Sequence, residues 1–171
     1  MIRVVRGPLT DAEAEAVVRP IRSDLAPVTA AARDLAVAAG PIMEQRLARL
    51  ESLPVGGAVM TPAGALAADF VIHAVVMSED EPQTTATVQR ALRNGLARAV
   101  DWGVKSLALP PLGLGVGLTE PEISARALVE ILYNHLDEGR EPLDFTLVVT
   151  SSFEEDLFAR LVDEAARGRA D

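Results

Sequence analysis

Apolar residues recur along this chain with two different periods, and stretches of each period alternate. From Pro82 to Trp102, Val88, Leu92, Leu96 and Val100 return every four residues, which places them on one face of a helix. Just before it, Phe70-Val71-Ile72-His73-Ala74-Val75-Val76 is an almost unbroken apolar run, the pattern of a strand covered on both faces of a sheet. The same reading applied end to end predicts strands at Ile2–Val5, Ala16–Val18, Gly57–Thr61, Asp69–Val76, Lys105–Leu109 and Phe145–Thr150. It predicts helices at Pro27–Ala39, Ile42–Leu50, Pro82–Trp102 and Thr119–Leu136, and a last one capped by Ser152 with Glu155 three residues on. Gly40-Pro41 separates the first two helices, and Thr10-x-x-Glu13 marks a turn or cap between the first two strands.

Strands alternating with helices in this order predict an α/β protein. The expected architecture is a three-layer α/β/α sandwich with a mixed, largely parallel central sheet. The 171 residues suffice for one domain spanning 1–171, and no repeat, low-complexity tract or linker interrupts them.

Composition narrows the function classes. Hydrophobic residues make up 49% and aromatics only 4%, so base-stacking readers of single-stranded nucleic acid are not expected. A net charge of −9 repels a phosphate backbone, and no basic patch offsets it, so nucleic acid is not an expected partner. There is no cysteine, which excludes disulfides, thiol catalysis and zinc-thiolate sites and agrees with a cytoplasmic location. The N-terminal residues carry no apolar leader, and the greasiest stretch, Gly64 to Met77, is broken by Asp69 and His73 and is too short to span a bilayer. The acidic runs Glu79-Asp80-Glu81 and Glu154-Glu155-Asp156 have no His or Cys companions and read as solvated surface, so neither a metal nor a cofactor is expected. Oligomeric state is not legible in these features.

The chemistry-bearing segment is Leu107-Ala108-Leu109-Pro110-Pro111-Leu112-Gly113-Leu114-Gly115-Val116-Gly117-Leu118-Thr119. An apolar strand runs into three alternating glycines, and Thr119-x-x-Glu122 then reads as a helix start. Strand, glycine loop and helix N-terminus together form a phosphate-binding geometry, because glycines admit an anion to free N–H groups at the positive end of the helix. The spacing is G-x-G-x-G, so a dinucleotide fingerprint is not met, and without a lysine the loop is not a Walker A sequence. The competing reading is a tight turn that binds nothing.

The segments taken in order resemble a macro domain, the ADP-ribose-binding α/β/α module. Arg6-Gly7-Pro8-Leu9-Thr10 is similar to an opening strand that ends in Gly-Asp-Ile-Thr, and Glu15-Ala16-Val17-Val18-Arg19-Pro20-Ile21-Arg22-Ser23 to Asp-Ala-Ile-Val-Asn-Ala-Ala-Asn-Ser. Ala38-Ala39-Gly40, the stretch from Gly56 to Leu66, Val71-Ile72-His73-Ala74-Val75 and Pro110 to Gly117 resemble later family segments. The resemblance implies a ligand site built on the phosphate loop Gly113, Leu114, Gly115, Val116 and Gly117, with Leu9, Arg22, Ser23, Val28 and Phe153 around it. Phe153 would stack on an adenine ring.

The family's other ligand residues are replaced. The acid that reads the adenine amino group falls at Pro8, and the two Asn positions fall at Arg19 and Arg22. The first glycine-rich loop falls at Ala26-Pro27-Val28-Thr29-Ala30, and the catalytic Asp of one hydrolytic class at Ala32, with Asp34 nearby. The resemblance therefore implies a binder of ADP-ribose or a related nucleotide diphosphate with a weakened or altered site. The alternatives are a non-catalytic structural or protein-interaction module, a site for another anion clamped by Arg19 and Arg22, and, least favoured, an ADP-ribosyl hydrolase. Against the clamp stands a reading in which both Arg residues lie on the surface and pair with Glu15 or Asp24. His73 reads as a core histidine and His135 as a helix-end residue, so no catalytic triad is expected.

Overall fold

The computed structural model describes residues 1–114 and 120–171. Six strands form one sheet: β1 (Ile2–Arg6), β2 (Ala16–Arg22), β3 (Ala58–Pro62), β4 (Phe70–Met77), β5 (Ser106–Leu109) and β6 (Asp144–Val149), in the spatial order β1-β6-β5-β2-β4-β3. All neighbours run parallel except β3, which lies antiparallel on β4 with Val59 opposite His73. The helices are α1 (Ala30–Ala39), α2 (Pro41–Ala48), α3 (Thr85–Asp101), α4 (Pro121–Asp137) and α5 (Ser152–Ala170). This is the mixed, largely parallel α/β/α sandwich that the pattern predicts.

Side-chain alternation along β2 separates the two faces. Ala16 and Val18 join the larger core with Leu92 and Leu96 of α3, Leu128 and Leu132 of α4, and Phe158 of α5. Val17 joins a smaller core with Leu35 and Ala39 of α1 and Met43 of α2. Among the described residues no helix is long and apolar enough to cross a membrane.

Several boundaries differ from the predicted ones for local reasons. β2 runs on to Arg22 despite Pro20: its pairing with β5 covers only Ala16 and Val17, and beyond them a single antiparallel bridge, Ile21 to Pro27, covers that side, where the Pro20 carbonyl accepts the Val28 N–H and only the proline's own donor is missing. α1 starts at Ala30 rather than Pro27, with Thr29 as its N-cap. α4 starts at Pro121 with Glu120 at the N-cap position, and the cap read at Thr119 falls outside the described residues. α5 is capped by Ser151, not Ser152, which makes Glu154 rather than Glu155 the third helical residue. The turn after β3 is also tightly seated. Gly64 adopts φ +60°, and a Cβ there would overlap the Ala39 carbonyl oxygen, which itself accepts the Ala65 N–H.

Candidate functional site

Because β1, β6, β5, β2 and β4 run parallel, their C-terminal ends share one edge of the sheet. A cavity of about 390 Å³ opens there, within the span of small-molecule sites. Pro8, Leu9 and Thr10 wall it after β1, and Thr29, Ala30, Ala31 and Asp34 wall it from the start of α1. Pro110 to Leu114 follow β5, and Val148, Thr150 and Glu154 lead from β6 into α5. This is where open parallel sheets place their ligands.

The first turn of α1 supplies hydrogen-bond donors. Thr29 Oγ1 accepts the Ala32 N–H at 3.1 Å, which leaves the N–H groups of Ala30 and Ala31 without an intrahelical acceptor at the positive end of the helix. Across the cavity Gly113 adopts φ +92°, while a Cβ there would meet nothing closer than Ser124 Cβ at 3.5 Å. Backbone conformation, not space, therefore favours glycine at 113. The charged side chains of the described lining are both carboxylates, Asp34 and Glu154. Glu154 is held in place: its Oε1 accepts the Thr150 N–H at 3.0 Å and the Thr150 hydroxyl at 3.2 Å.

Of the residues singled out in the sequence, Leu9, Gly113 and Leu114 line the cavity. Gly115, Val116 and Gly117 lie outside the described residues. Arg22, Ser23, Val28 and Phe153 are not among the described lining residues. Arg22 Nε lies 3.4 Å from Asp24, and the Ser23 hydroxyl donates to the Leu53 carbonyl. Val28 packs against the larger core, and Phe153 is 61% exposed on the first turn of α5.

Arg19 is neither a clamp at the cavity nor a surface residue paired with an acid beside it. It is fully buried. Its Nε–H donates to His73 Nδ1 at 2.9 Å, its Nη1 donates to the Ala32 carbonyl at 3.1 Å, and its Nη2 lies 3.8 Å from Glu44. Burial pulls the Arg19 pKa down, and Glu44 partly opposes this. The donor at Nδ1 fixes the His73 tautomer: the ring proton sits on Nε2 and is given to Thr61 Oγ1 at 2.8 Å. A second proton on His73 would face the Arg19 N–H, and burial together with that charge pushes its pKa down to about 3. His73 is thus a neutral core histidine. Ala32 is held at both ends, N–H by Thr29 and carbonyl by Arg19, which ties the cavity-forming turn of α1 to the sheet. His135 is buried edge-on against Phe145 with ring centroids 5.7 Å apart.

The sequence does not single out Thr150 and Glu154, whereas Thr29 lies in the predicted first loop and Asp34 beside the position of the family's catalytic Asp. A signal for Glu154 was present: Ser151-Ser152-Phe153-Glu154-Glu155 offers two S-x-x-E frames, and the first frame turns Glu154 toward Thr150.

The family model for the macro domain matches residues 20–128. The chain belongs to the macro domain family. An uncharacterized protein of Aquifex aeolicus is 35% identical over 130 residues, covering 75% of this chain and 79% of the relative. A protein of Pantoea vagans named O-acetyl-ADP-ribose deacetylase 1 is 29% identical over 169 residues, covering 95% of this chain and 98% of the relative. Among solved structures, a macrodomain variant from Oceanobacillus iheyensis with ADPR bound superposes with a TM-score of 0.81 at 20% identity, covering 96% of this chain and 92% of that one. The last likeness is one of fold.

Proposed function

We propose that this macro domain binds ADP-ribose or a related nucleotide diphosphate in the cavity at the C-terminal strand ends. The observation that carries the reading is the arrangement around that cavity. Ala30 and Ala31, whose N–H groups have no intrahelical acceptor, and the turn at Gly113 line one space of about 390 Å³. Helix-start donors on one wall of a cavity of this size suit a phosphate group. The Oceanobacillus iheyensis relative with ADPR bound supports the choice of ligand.

The site is an altered one. Pro27-Val28-Thr29 carries side chains where a glycine loop would expose backbone, and Asp34 and Glu154 add negative charge to the wall. Affinity is therefore expected to rest on backbone donors rather than on cations. A second reading, a scaffold that binds no nucleotide, is favoured by that same crowded 27–29 segment. The proposal is of binding. Turnover of an O-acetylated ADP-ribose, suggested by the name of the Pantoea vagans relative, becomes worth assaying once binding is measured.

The test is calorimetric titration with ADP-ribose, with ADP, NAD and inorganic phosphate as comparators. Micromolar or tighter ADP-ribose binding, about −8 kcal/mol or better, is the expected result. No heat with any of the four ligands refutes the proposal in favour of the scaffold.

A further inference from the structure

A second cavity, of about 230 Å³, opens between the C-terminal halves of α3 and α4, and its described lining shares no residue with that of the cavity at the strand ends. Two stripes of the same spacing build it. Arg93, Leu96, Ala97 and Val100 lie three or four residues apart on one face of α3. Ile131, Asn134 and His135 of α4, with Glu138 at its C-cap, repeat that spacing opposite. Leu96, Val100 and Ile131 make the lining apolar, and Ala97, which brings only a methyl group, leaves the space open.

The polar groups around this space are not balanced. Glu138 and Arg140 satisfy each other, with Arg140 Nε donating to Glu138 Oε2 at 3.1 Å, and Asn134 Oδ1 accepts from Arg169 at 3.2 Å. Arg93 is exposed and has neither a hydrogen bond nor an ion pair among the described residues. His135 is 6% exposed, and its buried Nε2 has no partner among them either. Such orphans are uncommon in a folded chain and mark where an outside group completes the set. We infer that this cavity binds a small monocarboxylate, its hydrocarbon body between Leu96, Ala97 and Ile131 and its carboxylate on the Arg93 guanidinium. A guanidinium meets a carboxylate through two parallel N–H groups. The volume is below that of drug-sized sites, so the body is short. One unpaired cation matches a monoanion. A phosphate would set its second charge beside Glu138 and its oxygens against apolar atoms. A peptide terminus would bring amide groups for which this lining has few partners.

The chain has two histidines, His73 and His135, so NMR of the ring signals reads the site and an internal control together. Hexanoate is titrated into the protein at fixed pH, with hexan-1-ol and inorganic phosphate as comparators. Hexanoate should shift the His135 signals saturably, leave those of His73 in place, and bind about tenfold or more tightly than either comparator. Arg93→Gln, an exposed change, should weaken hexanoate by about fivefold or more. Ala97→Leu fills the cavity and should abolish the saturable shift without removing a charge. The proposal is overturned by a wild type whose His135 signals show no saturable shift, by phosphate or hexanol binding as tightly as hexanoate, or by a hexanoate affinity that either variant leaves unchanged. Each of these results is independent of nucleotide binding at the strand ends.

Discussion

Lowering the pH from 7 to 5 should destabilise this protein through one buried ring. In the folded chain the His73 pKa lies at about 3, below its ordinary 6.5, because burial and the Arg19 charge both disfavour a second ring proton. The unfolded chain takes up that proton near pH 6.5 and the folded chain does not, so stability is fully present above pH 6.5 and is lost as pH falls toward 3. Counting protons bound in the two states, the His73 contribution lost between pH 7 and pH 5 is about 2 kcal/mol. That figure requires only that the folded value lie well below 5. The measurement is urea unfolding followed by circular dichroism at pH 7, 6 and 5, on the wild type and on His73→Gln. Glutamine offers an oxygen to Arg19 and an N–H to Thr61 but does not titrate. Contributions common to both proteins cancel in the comparison. The pH 7-to-5 loss should be smaller in His73→Gln by about 2 kcal/mol. A difference below roughly 0.5 kcal/mol, the usual limit of additivity, would refute the network of Arg19, His73 and Thr61 as drawn.

Two further outcomes test the site and its scaffold. Arg22, paired with Asp24 and absent from the described lining, should be dispensable. Arg22→Ala should leave ADP-ribose affinity within about twofold, and a loss beyond about tenfold, 1.4 kcal/mol, would restore it as a phosphate clamp. Gly64→Ala adds a Cβ at positive φ against the Ala39 carbonyl, so thermal unfolding should report a loss of about 2 kcal/mol or more.

The fold was largely legible because its signals are collective. The four-residue period in α3 and the apolar run in β4 each sum many side chains, and no single substitution hides them. Termini were less legible because they turn on one hydrogen bond each: Ser151 rather than Ser152 caps α5, and a three-residue offset separates Pro27 from the true start of α1. Arg19 was misplaced for a different reason. Among strand residues, a charge reads as surface, and nothing local announces that His73 and the Ala32 carbonyl wait across the sheet to receive it. The cavity was half legible: Leu9, Gly113 and Leu114 were visible through motif resemblance. Glu154 was hidden in an acidic run that ordinarily stays in water.

Those two outcomes share a cause. The cavity arises from topology: parallel strands end together, and the connections after β1, β2, β5 and β6 must leave by the same edge. Side chains along those connections can change while the space and its backbone donors persist, because the donors belong to helix starts that the fold needs in any case. The Arg19 network makes this concrete. Where the resemblance implies an Asn at the ligand, this chain has an arginine that turns inward and fastens Ala32, so that position holds the cavity wall instead of lining it. The replacements therefore leave the cavity and the helix-start donors beside it in place. What the replacements do change is the charge of the wall, where Asp34 and Glu154 stand and Glu154 is fixed by two hydrogen bonds from Thr150.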